Sequence, residues 1–112
     1  MSGAIVRRLD EIKKQGGINS REVAQLLDTT PETVSRWTTG KAQPQPERLN
    51  RLLILEWLIG ELSDFYHPEE ARLWLFAPHK LLNGESPANT IKIGMTNDVL
   101  AIIDQLKTGA YV

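Results

Sequence analysis

The amino-acid sequence predicts an all-α fold in which short helices precede and follow one long apolar helix. Ile5, Leu9 and Ile12 have the three- and four-residue spacing of an amphipathic helix. The stretch from Pro46 to Tyr66 is richer, since eleven of the eighteen residues from 49 to 66 are apolar and four of them are consecutive. A single helical stripe about 100° wide cannot bury four consecutive side chains. We therefore expect the long helix to be covered on more than one side and to be shared by the rest of the fold.

The composition is that of an ordinary globular protein. With 112 residues and 41% hydrophobic content, the chain suits one compact domain or two small halves that share a core. Cysteine is absent from the sequence, which excludes a disulfide framework and a thiolate metal site. No apolar run reaches the roughly 18 residues that a membrane span needs, and the N-terminal residues lack the apolar core of a signal peptide. We expect a cytoplasmic protein with no membrane partner.

Charge is distributed unevenly along the chain, although the net charge is only -1. Residues 1–51 carry nine Lys or Arg against six Asp or Glu, a net charge of +3. Residues 52–112 carry four against eight, a net charge of -4. This asymmetry indicates that only the front half faces an anionic partner. A chance difference in charge is the alternative.

Three short helices are predicted before the long one. Their apolar spacing and their Gly and Pro boundaries place them at Ala4–Gln15, Arg21–Leu27 and Pro31–Thr39. Ser20 is the expected N-cap of the second helix and Thr30 that of the third, because their side-chain oxygens can accept hydrogen bonds from the first backbone amides. Pro31 suits the first helical position, where its missing amide is no loss.

The second and third helices have the spacing of a helix-turn-helix. Two helices that cross at roughly 90 to 120° need a small residue at their contact, and Ala24 is small. Asp28 stands at the turn position that needs a left-handed backbone, where glycine is usual. Val34 and Trp37 follow as inward anchors, so we predict that Trp37 belongs to the core. The residues AQLLDTTPETVSRWTTGK, within a segment of about 20–41, resemble the bacterial phage-repressor-like helix-turn-helix family.

This resemblance makes Pro31–Thr39 the recognition helix, whose N-terminal residues meet base edges in the major groove. Threonine can bond to either base type, glutamate accepts from cytosine, and arginine matches guanine. The predicted base-reading residues are Thr30, Glu32, Thr33 and Arg36. The predicted phosphate contacts are Arg21, Lys41 and either Arg7 or Arg8. The alternative is a degenerate helical fold kept for packing or dimerisation.

The linker-like stretch Gln43–Gln45 sets the predicted organisation of the chain. It separates a helix-turn-helix domain, residues 1–45, from the long shared apolar helix, residues 46–66. Residues 67–112 form the C-terminal region, in which glycine and proline again divide short helical segments. Those segments are 68–77, a turn at 81–82 that ends at Asn83 and Gly84, 87–93 and 97–107.

Nothing in the sequence has the pattern of a catalytic or metal site. His67 and His79 lack metal-ligand spacing, so we expect them to cap helices or face solvent. Glu69 and Glu70 are adjacent and point to different sides of a helix, which prevents a shared acid–base role. No Gly-rich phosphate loop or nucleophile elbow is present in the sequence. We predict a non-enzymatic protein with no catalytic residues, metal or cofactor.

The second half of the sequence contains an ordered series of apolar, glycine and proline positions. They are Ala71, Trp74, Pro78, Leu82, Gly84, Pro87, Gly94, Val99, Ile103 and Gly109. In this order, after a helix-turn-helix and a Leu-rich helix, they resemble the Xre/MbcA/ParS toxin-binding domain of antitoxins, most closely its short mycobacterial type. Ser86 departs from the pattern, because the family often has a basic residue before this proline.

The resemblance implies a compact helical region that holds a RES-class toxin, an enzyme that destroys NAD. In the short mycobacterial type the antitoxin's C-terminal end lies in the toxin's active-site cleft. The residues that this implies for toxin binding are Trp74, Lys107, Thr108, Gly109, Ala110, Tyr111 and Val112. The apolar C-terminal end fits this role, since chain ends are usually polar and frayed. Packing of that end on the protein's own core is the alternative.

Together these observations predict the antitoxin of a type II toxin–antitoxin module. It would inhibit a RES-class toxin by occlusion and bind operator DNA for autoregulation, as a homodimer within a hetero-oligomeric complex. The alternative is a stand-alone helix-turn-helix transcription regulator whose C-terminal half only dimerises.

Overall fold

A computed structural model describes residues 3–109, which are mostly helical and contain no strand in that range. Seven α-helices lie in this part of the chain, with a 3₁₀ turn (Lys80–Leu82) between the fifth and sixth. They are α1 (Gly3–Gly16), α2 (Ser20–Leu26), α3 (Pro31–Thr38), α4 (Pro46–Leu62), α5 (Pro68–Phe76), α6 (Pro87–Lys92) and α7 (Thr96–Thr108). The predicted all-α class is confirmed. No helix in the described residues is both long and apolar enough to cross a membrane.

Helix α1 connects the two ends of the fold, because it packs against α4 and α5 as well as α3. Its stripe of Ile5, Leu9 and Ile12 is buried, as the spacing predicts. Gly17 follows the helix with a φ of +62°, and a Cβ at this position would lie 2.5 Å from the carbonyl oxygen of Pro68. Only glycine permits both this left-handed backbone and this close approach without strain. The front and back of the chain are therefore in direct contact.

The N-cap of α2 is Asn19, so the prediction of Ser20 was wrong. The Glu22 amide donates to Asn19 Oδ1 at 2.9 Å, and the Asn19 amide donates to Glu22 Oε1 at 3.1 Å. This reciprocal capping box satisfies two backbone donors. A cap at Ser20 would place Val23 at the reciprocating position, where an apolar side chain cannot accept. Ser20 instead accepts a hydrogen bond from Lys13 Nζ at 3.2 Å.

Helix α4 ends at Leu62, before the predicted end at Tyr66. Ser63 Oγ donates to the Gly60 carbonyl at 2.7 Å, and the Phe65 amide donates to the Leu62 carbonyl at 3.0 Å. These short-range hydrogen bonds satisfy carbonyls that a longer helix would have used. The chain consequently turns towards α5 earlier than its apolar pattern predicts.

Other helices bury α4 less completely than its apolar sequence predicts. Both α1 and α7 pack against it, and Leu52, Leu55 and three further residues on the same helix are buried. Leu53, however, is 37% exposed and Trp57 is 50% exposed. Of the four consecutive apolar residues that predicted cover on more than one side, one therefore remains at the surface of the described chain.

One hydrophobic core unites the described residues. Residues 3–45, 46–66 and 67–109 all contribute buried side chains to it, and α2 packs directly against α6. The back half ends its elements near the predicted signals, with Asn83 at φ +59° after the 3₁₀ turn. The helix-turn-helix therefore packs against α6 of the C-terminal region, and α1 packs against both α3 and α4.

Candidate functional site

The turn between α2 and α3 is built around Asp28. Its φ of +55° is the left-handed conformation that the helix-turn-helix requires and that glycine usually supplies. Arg48, near the start of α4, donates to the Asp28 carbonyl at 2.9 Å, and the Thr29 amide donates to the Ala24 carbonyl at 2.9 Å. Ala24 is buried, as a close helix contact requires. The long helix therefore supports this turn directly.

Helix α3 is held by its cap and by two buried side chains. Thr30 Oγ1 accepts a hydrogen bond from the Thr33 amide at 3.1 Å, and Pro31 occupies the first turn, as predicted. Val34 is fully buried and Trp37 is only 4% exposed. The prediction that Trp37 belongs to the core is confirmed, so its ring is not available to stack on a base.

The four predicted base-reading residues fall into two groups. Glu32 and Arg36 are exposed on the outer face of α3. Thr30 and Thr33 instead share a hydrogen bond, with their Oγ1 atoms 2.8 Å apart, and Thr33 lines a depression that faces α4. Ser35 is exposed with the first group and was absent from the predicted set, although its place three residues after Glu32 is a usable signal.

Cations in the front half of the chain differ in whether they already form ion pairs. Arg21, Arg36 and Lys41 are exposed, and within residues 3–109 none of their side chains forms a hydrogen bond or ion pair. Arg8 forms an ion pair with Glu56 of α4. The first three side chains can bind phosphate at once, whereas Arg8 would first have to leave Glu56.

Large apolar side chains are exposed only in the second half of the described chain. They are Leu53, Trp57, Phe65, Leu73, Leu81, Ile93 and Met95. Exposed apolar side chains that lie together often mark surfaces that another molecule covers. The two halves therefore present chemically different surfaces.

Two groups of these side chains line depressions. Leu53, Ile54, Trp57 and Leu100 line an open depression of about 360 Å³, which we call the α4–α7 patch. A second depression of about 190 Å³ is lined by eight residues, which include Leu81, Ile93 and Met95. None of these three was predicted as a binding residue. Their sequence neighbourhood gives no periodic signal, because each lies in a turn or at a helix end.

The last turn of α7 is attached to α4 by Lys107. Its Nζ lies 2.6 Å from Glu61 Oε1 and 5.8 Å from the centre of the Trp57 ring. The close approach and the negative charge of the Glu61 carboxylate raise the pKa of Lys107 above its usual value of 10.5. Thr108 ends the helix, and Gly109 follows with a φ of +73°. Ala110, Tyr111 and Val112, the rest of the predicted toxin-binding end, lie outside the described residues.

Trp74 is half-buried on α5 and packs against the core. Its ring meets the His79 ring edge-on, with centroids 6.0 Å apart. His79 Nδ1 accepts a hydrogen bond from the Leu81 amide at 3.3 Å, which confirms the predicted capping role. His67 precedes α5, and its amide donates to Glu70. Residues 3–109 contain no group of three or more side chains placed to hold a metal ion.

The front half of the chain matches a known family model. Residues 9–54 match the family model of the helix-turn-helix. This range covers α2, the turn, α3 and the beginning of α4, so it includes the turn at Asp28 and the Arg48 contact that supports it.

Similarity to curated proteins extends over the whole chain. The mycobacterial cidal antitoxin MbcA of Mycobacterium tuberculosis is 33% identical over 112 residues, which are 100% of this chain and 92% of that protein. A probable mycobacterial cidal antitoxin of the same organism is 32% identical over 99 residues, 88% of this chain and 84% of that protein. The crystal structure of the M. tuberculosis MbcT–MbcA toxin–antitoxin complex contains a chain that matches with a TM-score of 0.82 and 30% identity, over 96% of each chain.

Proposed function

The chain belongs to the family of mycobacterial cidal antitoxins, and from this premise we propose that it binds and inhibits a cognate toxin. The observation that carries the proposal is the match over 96% of both chains to a structure solved as a toxin–antitoxin complex. Coverage of this extent includes the C-terminal half, where the large apolar side chains are exposed. A match confined to the helix-turn-helix would support only a DNA-binding role.

The proposed mechanism is occlusion of a RES-class, NAD-degrading toxin, which needs no catalytic group in this chain. Lys107, Thr108 and Gly109 are exposed at the end of α7. In this proposal they direct Ala110, Tyr111 and Val112 into the active-site cleft of the toxin. Burial of a large apolar side chain contributes about 1.5 to 3 kcal/mol. Trp74 adds an aromatic contact on α5. The protein would act in the cytoplasm, where its toxin consumes NAD.

Truncation after Thr108 tests this mechanism. We expect the shortened protein to remain folded, because the described core ends at Ile103, but to leave the toxin free to consume NAD. The measurement is NAD loss with the toxin encoded beside this chain, at increasing concentrations of full-length or truncated protein. Full inhibition by the truncated protein would exclude occlusion by the C-terminal residues.

A second activity, binding to operator DNA, is supported by the unpaired cations around α3. In this proposal Thr30, Glu32, Thr33 and Arg36 read bases. Glu32 and Arg36 are exposed on the outer face of α3, whereas the hydroxyls of Thr30 and Thr33 bond to each other and would have to separate first. Arg21 and Lys41 bind phosphate, which fixes the register on the duplex. Repressors of this kind bind two half-sites as dimers, so we propose a homodimer within the hetero-oligomeric toxin complex.

The alternative function is a stand-alone transcription regulator whose C-terminal half only dimerises. The α4–α7 patch favours it, because an open apolar depression on the central helix suits a second copy of the chain. Sedimentation of Leu53→Ser tests the patch, and we expect the dimer to dissociate about 10-fold or more readily when one buried Leu is lost. Leu73→Ser on α5 is the matched control, because Leu73 is exposed but lies outside the patch.

The alternative and the antitoxin function are separated by the toxin itself. Dimerisation through the patch without any inhibition of NAD loss would favour the regulator. An unchanged dimer in Leu53→Ser would assign self-association to another surface.

A further inference from the structure

We propose that Glu61 is a positioning residue for toxin inhibition: its ion pair with Lys107 fixes the last turn of α7, which directly precedes the C-terminal residues in the sequence. The inference rests on the proposed function, since it concerns how the inhibitory end is presented. Glu61 lies on α4, far from Lys107 in sequence, and nothing in the sequence pattern assigns it a role.

The contact is made by two residues one turn apart on α4. Glu61 Oε1 lies 2.6 Å from Lys107 Nζ, and the same cation stands 5.8 Å from the centre of the Trp57 ring. The Glu61 side chain is only 19% exposed, whereas that of Lys107 is 47% exposed. The carboxylate is therefore largely enclosed by neighbouring side chains, and the more exposed lysine side chain extends towards it.

This ion pair matters because the end of α7 has few other attachments. The fully packed residues of the helix are Val99, Ile102 and Ile103, and they end more than one turn before Thr108. Leu106 is only partly buried. Helix ends with few buried contacts open locally at low free energy. Lys107 is thus the main polar attachment of the last turn within the described chain.

The position of the pair determines where the C-terminal residues begin. Tyr111 lies only four residues after Lys107 in the sequence. Four extended residues reach about 14 Å at most. A fixed last turn of α7 therefore limits the region of space open to Tyr111, which reduces the ordering that toxin binding requires.

A matched ion pair elsewhere in the chain provides the control. Arg72 of α5 lies 2.5 Å from Glu22 of α2, and its guanidinium stands 5.4 Å from the centre of the Phe76 ring. This pair also joins two helices and also places the cation over an aromatic ring. It does not involve α7, so its loss should leave the C-terminal residues as they are.

The experiment compares Glu61→Gln, Lys107→Gln, their double variant, Lys107→Arg and Arg72→Gln in the full chain. Inhibition of NAD loss is measured with the toxin encoded beside this chain, and amide hydrogen exchange of residues 105–108 is followed in the free protein. We expect Glu61→Gln to weaken inhibition about 3- to 10-fold, the effect of ordering one or two more side chains on binding. Exchange at residues 105–108 should rise by a similar factor.

Two results would identify positioning rather than a general loss of stability. The double variant should be no weaker than either single variant, because both substitutions break the same contact. Lys107→Arg keeps the cation and should leave amide exchange at residues 105–108 in the free protein unchanged, and Arg72→Gln should change neither readout. In protein truncated after Thr108, Glu61→Gln should have no further effect on the toxin.

Different experimental results would overturn the role of Glu61 and the proposed function. Full inhibition by Glu61→Gln, or an equal loss in Arg72→Gln, would overturn the role of Glu61 while the truncation test still stands. A double variant weaker than both single variants would show that Lys107 and Glu61 act independently, which also overturns it. Absence of inhibition by the unaltered chain would instead overturn the proposed function and the inference with it.

Discussion

Helices α3 and α7 are each anchored by a buried apolar stripe. The exposed surfaces around them differ in polarity and in charge. The outer face of α3 carries Glu32, Ser35 and Arg36, and residues 3–52 expose no large apolar side chain. Around α7, Ile93 and Met95 are more than half exposed, and residues 52–112 carry a net charge of -4. A polar face with unpaired cations suits a polyanion. An apolar, acidic surface suits a protein partner and disfavours DNA.

This contrast shows that one core can support two separate recognition surfaces. The helix-turn-helix does not stand apart, because α2 packs on α6 and Gly17 touches the backbone of Pro68. Stability is therefore expected to be shared, while binding is divided between the halves.

The largest expected effect is a loss of stability shared by both halves of the chain. Gly17→Ala should lower the free energy of unfolding by about 3 kcal/mol, because a left-handed alanine costs about 1–2 kcal/mol and the contact with Pro68 adds about 1–3 kcal/mol. Gly84→Ala is the matched control, since its φ is +85° but nothing lies within 4 Å of the added Cβ. It should cost about 1–2 kcal/mol.

Urea denaturation followed by circular dichroism and tryptophan fluorescence measures these costs. A single transition that shifts as a whole is expected, because both halves share the core. Two separate transitions, with only one shifted in Gly17→Ala, would mean that the halves fold independently.

A smaller effect should be confined to the front half. Arg36→Ala should weaken binding to the preferred operator sequence by about 1–3 kcal/mol and relax specificity at the base it contacts. Toxin inhibition should not change, because Arg36 lies on the outer face of α3. Lys80→Ala removes a cation from the back half and should leave DNA binding intact. Fluorescence anisotropy with operator DNA measures both, and equal binding by Arg36→Ala and unaltered protein would make α3 a structural helix.

The smallest effect concerns phosphate contacts. Arg21→Ala should weaken binding to all DNA sequences alike and reduce the slope of log affinity against log salt by about 1, the value for one lost phosphate contact. Titrations at several salt concentrations give this slope. A loss restricted to the operator sequence would move Arg21 to the base-reading group.

The sequence predicted some parts of the helix-turn-helix more accurately than others. Thr30 as a cap, Asp28 in a left-handed turn and Trp37 in the core were all predicted, because each depends on the residues beside it. Ser20 was wrongly predicted as a cap, since two adjacent residues could serve and only Asn19 gains a reciprocal bond from Glu22. Local chemistry identified the cap region but ranked the two residues incorrectly.

The C-terminal surface was harder to predict from the sequence. The order of its glycine and proline positions predicted the family, which the comparisons confirm over the whole chain. The exposure of Leu81, Ile93 and Met95 was not predicted, because an apolar residue in a turn has no periodic partner that marks it as buried or exposed.

The sequence by itself determined the order of the helices, the buried stripe of α1 and the buried anchors of α3, and that the front half is basic and the back half acidic. These properties depend on spacing and composition over a few residues. Only the tertiary structure decided that α4 leaves Leu53 and Trp57 open and that Glu61 pairs with Lys107. Such features depend on how helices that are far apart in sequence cross and pack, and the periodicity within each helix does not contain that information.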